Sequence, residues 1–274
     1  MGNKKFILTA DDFGVNNSIN RGVLDGYNAG LITSASLCAN GKEFDAAVNE
    51  ILPECPHMSI NAHLNISDGK ALSDCEFIVD NKKKFNNTYL ALCSMSANPK
   101  GILNIEKEFR KQIEKILELT PVYAITSRRN VHSIPQIFKL TCKLAAEYNI
   151  PYIRLPREEI LLSTQIGKCS KTKFSVNLIK TLLMNLFSRK NTITSGRFGT
   201  ETNKFTIGSL YREFLNSQLI EEYLTGIDEN CIIECFLTPD KQKHPNDYAL
   251  AQDKLLADKI FRAGFDLTNY KNLK

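Results

Sequence analysis

Two adjacent carboxylates, Asp11 and Asp12, stand where an apolar run stops and a turn begins, in the stretch Thr9-Ala-Asp-Asp-Phe-Gly14. The preceding Lys5-Phe-Ile-Leu-Thr-Ala10 reads as a short buried strand. In a parallel sheet ringed by helices, functional groups collect at the carboxyl ends of strands, where this strand delivers its acidic pair. Neighbours on an extended segment point to opposite sides, so one carboxylate can hold a metal while the other polarises a water beside it. The same residues also read as a polar turn, with Asp12 or Asn16 capping the helix that follows.

A second reactive side chain is His63, near the carboxyl end of a strand expected over 58–66. Alternation puts Asn65 on its face and Leu64 on the other. A lone His in an apolar strand is more often a hydrogen-bonded core residue than a ligand. Here the flanking Asn61 and Asn65, and the loop opening at Ser67-Asp-Gly69, favour a site.

Thr9 to Gly14 resembles the opening signature of the YdjC-like carbohydrate deacetylases (the ChbG/HpnK family), metal-dependent hydrolases that remove N-acetyl groups from sugars. The segment from His63 to Leu72 resembles the family's second signature, and Ser133-Ile-Pro135, Ile153 to Glu158 and Gly264 to Tyr270 extend the likeness along the chain. The resemblance implies Asp11 as general base, Asp12 and His63 as ligands of a divalent Mg or Zn, and Arg128, His132 and Arg154 as substrate-binding residues. It breaks between Ile125 and His132, where the family's Asp and first ligand His align with Thr126 and Arg128, and only the last His of a cluster remains, as His132. Arginine stays protonated and has no lone pair to give. It breaks again between Ile233 and Pro239, where the family's Cys-His-Pro meets Phe236 or Thr238, depending on register. His244, beside Pro245, is either a displaced substitute or an exposed loop residue. Asp12 and His63 alone make a weak, hydrated site, so the metal is expected to be weakly bound or absent, and Arg128 is placed to pair with the two aspartates instead. The resemblance therefore implies a carbohydrate deacetylase-like protein of impaired activity, or alternatively a non-catalytic sugar-binding relative that has lost its metal site.

The elements that must position these residues alternate. Strands are expected over 5–10, 33–39, 58–66, 121–125, 151–156 and 231–237. Helices are expected over 16–29, 44–52, 102–119, 135–149, 175–190, 207–224 and 248–263, with a polar, irregular stretch over 67–100. This order predicts an α/β fold, a distorted (β/α) barrel-like parallel sheet in a single domain over 1–274. With 43% apolar and 24% charged residues the composition is that of an ordinary globule, and no stretch is long enough to cross a bilayer. The expected chain lacks a signal peptide, since a strand follows Met-Gly-Asn-Lys-Lys at once. Eight scattered cysteines, including Cys231 and Cys235, read as reduced core thiols, which argues for the cytoplasm. A net charge of +5 and a Lys82-Lys83-Lys84 run without interleaved aromatics argue against a nucleic-acid partner. The expected partner is a small carbohydrate, with no membrane involved and a homodimer left open.

Overall fold

The strands are β1 (Lys5–Phe13), β2 (Ser34–Leu37), β3 (Ser59–Leu64), β4 (Asp68–Lys70), β5 (Lys84–Asn86), β6 (Ala124–Ser127), β7 (Tyr152–Ile153), β8 (Glu201–Thr202), β9 (Phe205–Ile207), β10 (Ile232–Leu237) and β11 (Asp266–Thr268). In this computed structural model, which describes residues 4–161, 163, 170–212 and 214–273, β1 is buried along nearly its whole length because both of its edges are paired. One edge runs parallel to β10, from Lys5 opposite Ile232 to Ala10 opposite Leu237. The other is shared, with β11 beside Lys5 to Ile7 and β2 beside Thr9 to Phe13. The parallel sheet runs β8-β7-β6-β3-β2-β1-β10-β9, with β11 off this path. It curls into a half-barrel flanked by helices, so the molecule is a single α/β domain.

Period-two alternation sorts the strand residues into two environments. Phe6, Leu8 and Ala10 join the main core with residues such as Val23, Ile113 and Leu237. Ile7 belongs instead to a small second cluster with Ala124, Tyr152 and Tyr270. The side chains that share Ile7's face further along are polar and buried, among them Thr9, Asp11, Ser34, Ser59, Asn61, His63, Thr126, Arg154 and Glu234. The outward face thus binds the helices, and the concave face supplies chemistry.

The helices are α1 (Asn17–Asn28), α2 (Phe44–Ala46), α3 (Tyr89–Ala97), α4 (Pro99–Leu117), α5 (Pro135–Glu147), α6 (Lys171–Phe198), α7 (Ser217–Thr225), α8 (Pro245–Leu250) and α9 (Leu255–Arg262). Asn16, not Asp12, caps α1: its side-chain oxygen accepts from the Ile19 N–H at 2.9 Å. Several expected boundaries move. The stretch over 67–100 is ordered by the antiparallel pair β4–β5 and by α3, and the fully buried Glu108 accepts the backbone N–H groups of Leu72 and Ser73. The helix expected over 207–224 is strand β9 followed by the shorter α7. Gly208 ends β9 with φ +138°, and a Cβ there would lie 2.4 Å from the Phe236 carbonyl oxygen. The helix expected over 248–263 divides into α8 and α9, with Asp253 between them accepting from the Leu255 N–H at 3.0 Å. The last strand, β11, lies within 264–270, which the alternation of apolar runs leaves unassigned.

All seven described cysteines are free, and Cys231 and Cys235 are buried as expected, while Cys169 lies outside the described residues. Among the described residues no helix is long and apolar enough to cross a membrane.

Candidate active site at the carboxyl ends of the strands

The lower part of the site is a buried ion network beneath the mouth of the half-barrel. Arg154, one residue past β7, is fully buried. It donates two parallel hydrogen bonds to Asp11, Nη1 to Oδ2 and Nη2 to Oδ1, both at 2.8 Å. Its Nε and Nη2 reach Glu234 at 2.7 and 2.8 Å, and the Thr9 hydroxyl donates to Glu234 at 2.6 Å. Its guanidinium also lies 4.5 Å from the centre of the Phe236 ring. Burial alone would raise the Asp11 carboxyl, but Arg154 and then His63 outweigh it and hold the group below the usual carboxylate range. Asp11 is thus a fixed anion whose oxygens are already occupied.

Behind this network sits His132, fully buried. Its Nε2 lies 2.7 Å from the Arg154 carbonyl oxygen, which can only accept, so Nε2 carries the proton and Nδ1 accepts from the Ser127 hydroxyl. Burial pulls this imidazole down to about 3, and it is neutral at physiological pH.

Asp12 turns the other way, toward the mouth, with φ +65°, a backbone state that costs a non-glycine residue and tends to persist at functional sites. Its Oδ1 lies 3.3 Å from His63 Nε2 and 3.6 Å from Arg128 Nη1. Both are charge contacts without hydrogen-bond alignment, and this buried oxygen has no hydrogen-bond partner. Arg128 Nε also pairs with Asp68 at 3.2 Å. His63 is held from behind by Thr126, Nδ1 to Oγ1 at 2.8 Å. Arg212, which precedes α7, adds positive charge near Asp12 and donates to the Thr238 hydroxyl at 2.9 Å. Burial would raise the Asp12 carboxyl, yet His63, Arg128 and Arg212 together reverse the shift and keep it ionised.

These residues do not fit a divalent metal. The orphaned Asp12 oxygen could take one, and His63 Nε2 could be a second donor, but the third side chain beside that oxygen is the Arg128 guanidinium, which has no lone pair to give. Among the described residues no group of three His, Cys, Asp or Glu side chains is arranged to hold an ion. The nearby Cys38 thiol, which burial pushes up to about 12, donates to the Asn40 side-chain oxygen at 3.2 Å. Arg128 instead places a permanent positive charge beside the carboxylate an ion would need.

Asp11, Asp12, His63 and Arg128 therefore lie together at the carboxyl ends of β1, β3 and β6, with His63 Nδ1 3.9 Å from Asp11. Arg154 and His132, expected to touch substrate, are instead enclosed beneath the mouth, and their polar groups are engaged by protein partners. Thr238 follows the Leu237 that pairs with Ala10, and so stands level with Asp11. His244 is half-buried in the loop position that caps α8, and its N–H bonds to the Asp240 carbonyl at 2.8 Å, so it is less exposed than a free loop residue. Sequence reasoning missed Glu234, Asp68 and Arg212. Glu234 could have been found as the lone charge in the apolar run Cys231 to Leu237; the other two carry no local signal.

A family model described as YdjC-like protein matches residues 5–258 of this chain. A carbohydrate deacetylase of Clostridium beijerinckii is 33% identical over 153 residues, 54% of this chain and 58% of that protein. Carbohydrate deacetylase 1 of Listeria innocua is 37% identical over 148 residues, 53% of this chain and 59% of that protein. The matched span is thus less than two thirds of the length of these curated relatives. A solved structure from Enterococcus faecalis, of a protein to which cellobiose-phosphate cleavage is provisionally ascribed, covers 99% of each chain with a TM-score of 0.76 at 18% identity, a likeness of fold. With a family model matched over nearly its whole length, this chain belongs to the YdjC-like protein family.

Proposed function

We propose that this chain is a carbohydrate-binding member of the family whose deacetylase turnover is slow or lost, with the Arg128 guanidinium replacing the charge of a metal ion. The observation that carries this reading is the Arg128 contact to Asp12 Oδ1 at 3.6 Å, on the oxygen that lacks any hydrogen-bond partner. Two further features support it. Asp11 is doubly bonded to Arg154 and held as a fixed anion, whereas an effective general base has its affinity for protons poised near the working pH. Neither Phe236 nor Thr238, the two residues that can meet the family's Cys-His-Pro histidine, is an imidazole, and Thr238 accepts from Arg212 instead. The names of the curated relatives support a carbohydrate as the ligand, and Asp68, Arg128 and Arg212 offer acceptors and donors to its hydroxyl groups. We place the protein in the cytoplasm on its buried, free thiols.

The test uses the full chain and N-acetylated chito-oligosaccharides. Acetate release is followed with and without added zinc or magnesium, and sugar binding is followed by calorimetry. The expected result is binding without metal-stimulated acetate release. Metal-stimulated release that Asp11→Asn abolishes would establish instead the hydrolase reading, which the retained Asp11, Asp12 and His63 favour.

A further inference from the structure

Helix α6 wears its polarity inside out. The side chains it buries are Thr181, Met184, Ser188, Asn191 and Ser195, at the three- and four-residue spacing of one helical face. Polar residues suit this face because Asn191 donates to the Ser133 carbonyl oxygen, and the flanking Asn185 exchanges hydrogen bonds with the Glu158 backbone. The opposite face carries Ile179, Leu182, Leu186 and Ile193, each between 49% and 69% exposed. Over this span the apolar stripe runs about 21 Å at 1.5 Å per residue. A stripe of this kind on a monomer marks an interaction surface.

The charge on α6 says what kind of surface it meets. Its 28 residues hold six basic side chains, Lys171, Lys173, Lys180, Arg189, Lys190 and Arg197, and no acidic one. The whole chain carries +5, and +5 less the helix's +6 leaves −1 for everything else. The net positive charge of the chain is thus matched by this one helix, which also displays the aliphatic stripe. A second copy packed on this stripe would crowd the flanking Arg189 and Lys190 against cations of its partner with no acidic side chain on the helix to offset them, which opposes self-association. An anionic, apolar-backed surface satisfies both features at once, as amphipathic basic helices do in the headgroup region of a bilayer.

We propose that α6 docks the protein peripherally on an anionic lipid bilayer, with Ile179, Leu182, Leu186 and Ile193 entering the headgroup boundary and Lys180, Arg189 and Lys190 meeting lipid phosphates. This departs from the expectation that no membrane is involved, because a helix lying on a bilayer needs no apolar span. It is independent of the sugar site.

The test is co-sedimentation of the full chain with vesicles of phosphatidylcholine alone or mixed with phosphatidylglycerol. Binding to the mixed vesicles is expected to be at least about tenfold tighter and to weaken in high salt. Ile179→Asn with Leu186→Asn and Ile193→Asn should abolish it, and Lys180→Gln with Arg189→Gln and Lys190→Gln should reduce it to the level of the uncharged vesicles. These positions are exposed, and an unchanged melting temperature verifies the fold; the single Leu186→Asn serves if the triple variant melts early. Equal binding to both vesicles, no binding to either, or binding indifferent to the asparagine variants would overturn the proposal. A wild-type dimer that the asparagine variants dissolve would overturn it too, and would show that a second copy covers the stripe.

Discussion

In the proposed function Arg128 sets the chemistry of the site, because it combines two things an imidazole at the same place would not: a permanent charge and the absence of a lone pair. Arg128→His removes the charge beside Asp12 and supplies a third neutral donor alongside His63. Zinc affinity measured by calorimetry should rise at least about tenfold, the scale on which metal sites respond to a change around their ligands. Equal affinities in the two proteins would mean that Arg128 does not hold the ligand position. Arg154 plays a different part, since it neutralises two buried carboxylates that have no other cation bonded to them at hydrogen-bond distance among the described residues. Arg154→Met would leave Asp11 and Glu234 buried and unpaired, and such losses cost about 3–5 kcal/mol. A urea titration should show this as a lower midpoint. At this scale Asp11, Asp12 and His63 were legible because each is a polar interruption of an apolar strand, and Glu234 carried the same signal. Arg212 and Asp68 were not, because loop residues distant in sequence reach the site through tertiary folding alone.

The elements around β1 were largely legible, since long apolar runs with helical or alternating period name themselves. Short elements did not. Phe205-Thr-Ile207 is only three residues of strand, and the apolar pattern that follows it mimics a helix although Gly208 stands between them. Strand β11 is defined by the half of the β1 edge that β2 leaves open, which no local pattern announces. Element packing also sets which substitutions the site tolerates. Helix α1, which follows the aspartate pair after a short turn, lies so close to the turn after β10 that a Cβ on Gly22 would stand 1.9 Å from the Pro239 carbonyl oxygen. Ser18 fixes the same junction by donating to Asp240 at 2.7 Å. Gly22→Ala must push the helix away from backbone that cannot rotate aside, and overpacking of this kind costs about 1–3 kcal/mol. Chemical denaturation should therefore show a clear loss, and a wild-type midpoint would mean that α1 shifts freely on the sheet. The loss should be accompanied by weaker sugar binding, because Asp240 and Thr238 share this turn.

Across the whole molecule, two buried groups outside the open mouth shape the response to pH in opposite senses. Glu158 is buried, and although the Ser209 and Leu210 N–H groups donate to it at 2.8 and 3.2 Å, burial pushes its carboxyl up to about 7. Its folded state keeps a proton that the unfolded chain releases above its ordinary value of 4.5, so its contribution is full below pH 4.5 and is lost as pH rises to about 7. His132 works the other way: with its imidazole pulled down from 6.5 to about 3, the unfolded chain takes up a proton that the folded one refuses, and stability falls as pH drops below 6.5. Asp11 and Asp12 are held below 3.8, so their contribution is present above that value and is lost only in stronger acid. Between pH 4.5 and 6.5 the slopes of Glu158 and His132 oppose one another, each up to about 1.4 kcal/mol per pH unit. The wild-type protein should therefore have a nearly level stability across that window. Glu158→Gln removes one slope and keeps an uncharged side chain of similar shape, so stability measured by urea titration should climb from pH 4.5 to 6.5 at a rate set by His132 alone. A level profile in the variant would show that His132 does not titrate where its burial places it. A climb in the wild type as steep as in the variant would show that Glu158 is ionised in the folded state, with its backbone donors outweighing the desolvation that no neighbouring cation offsets.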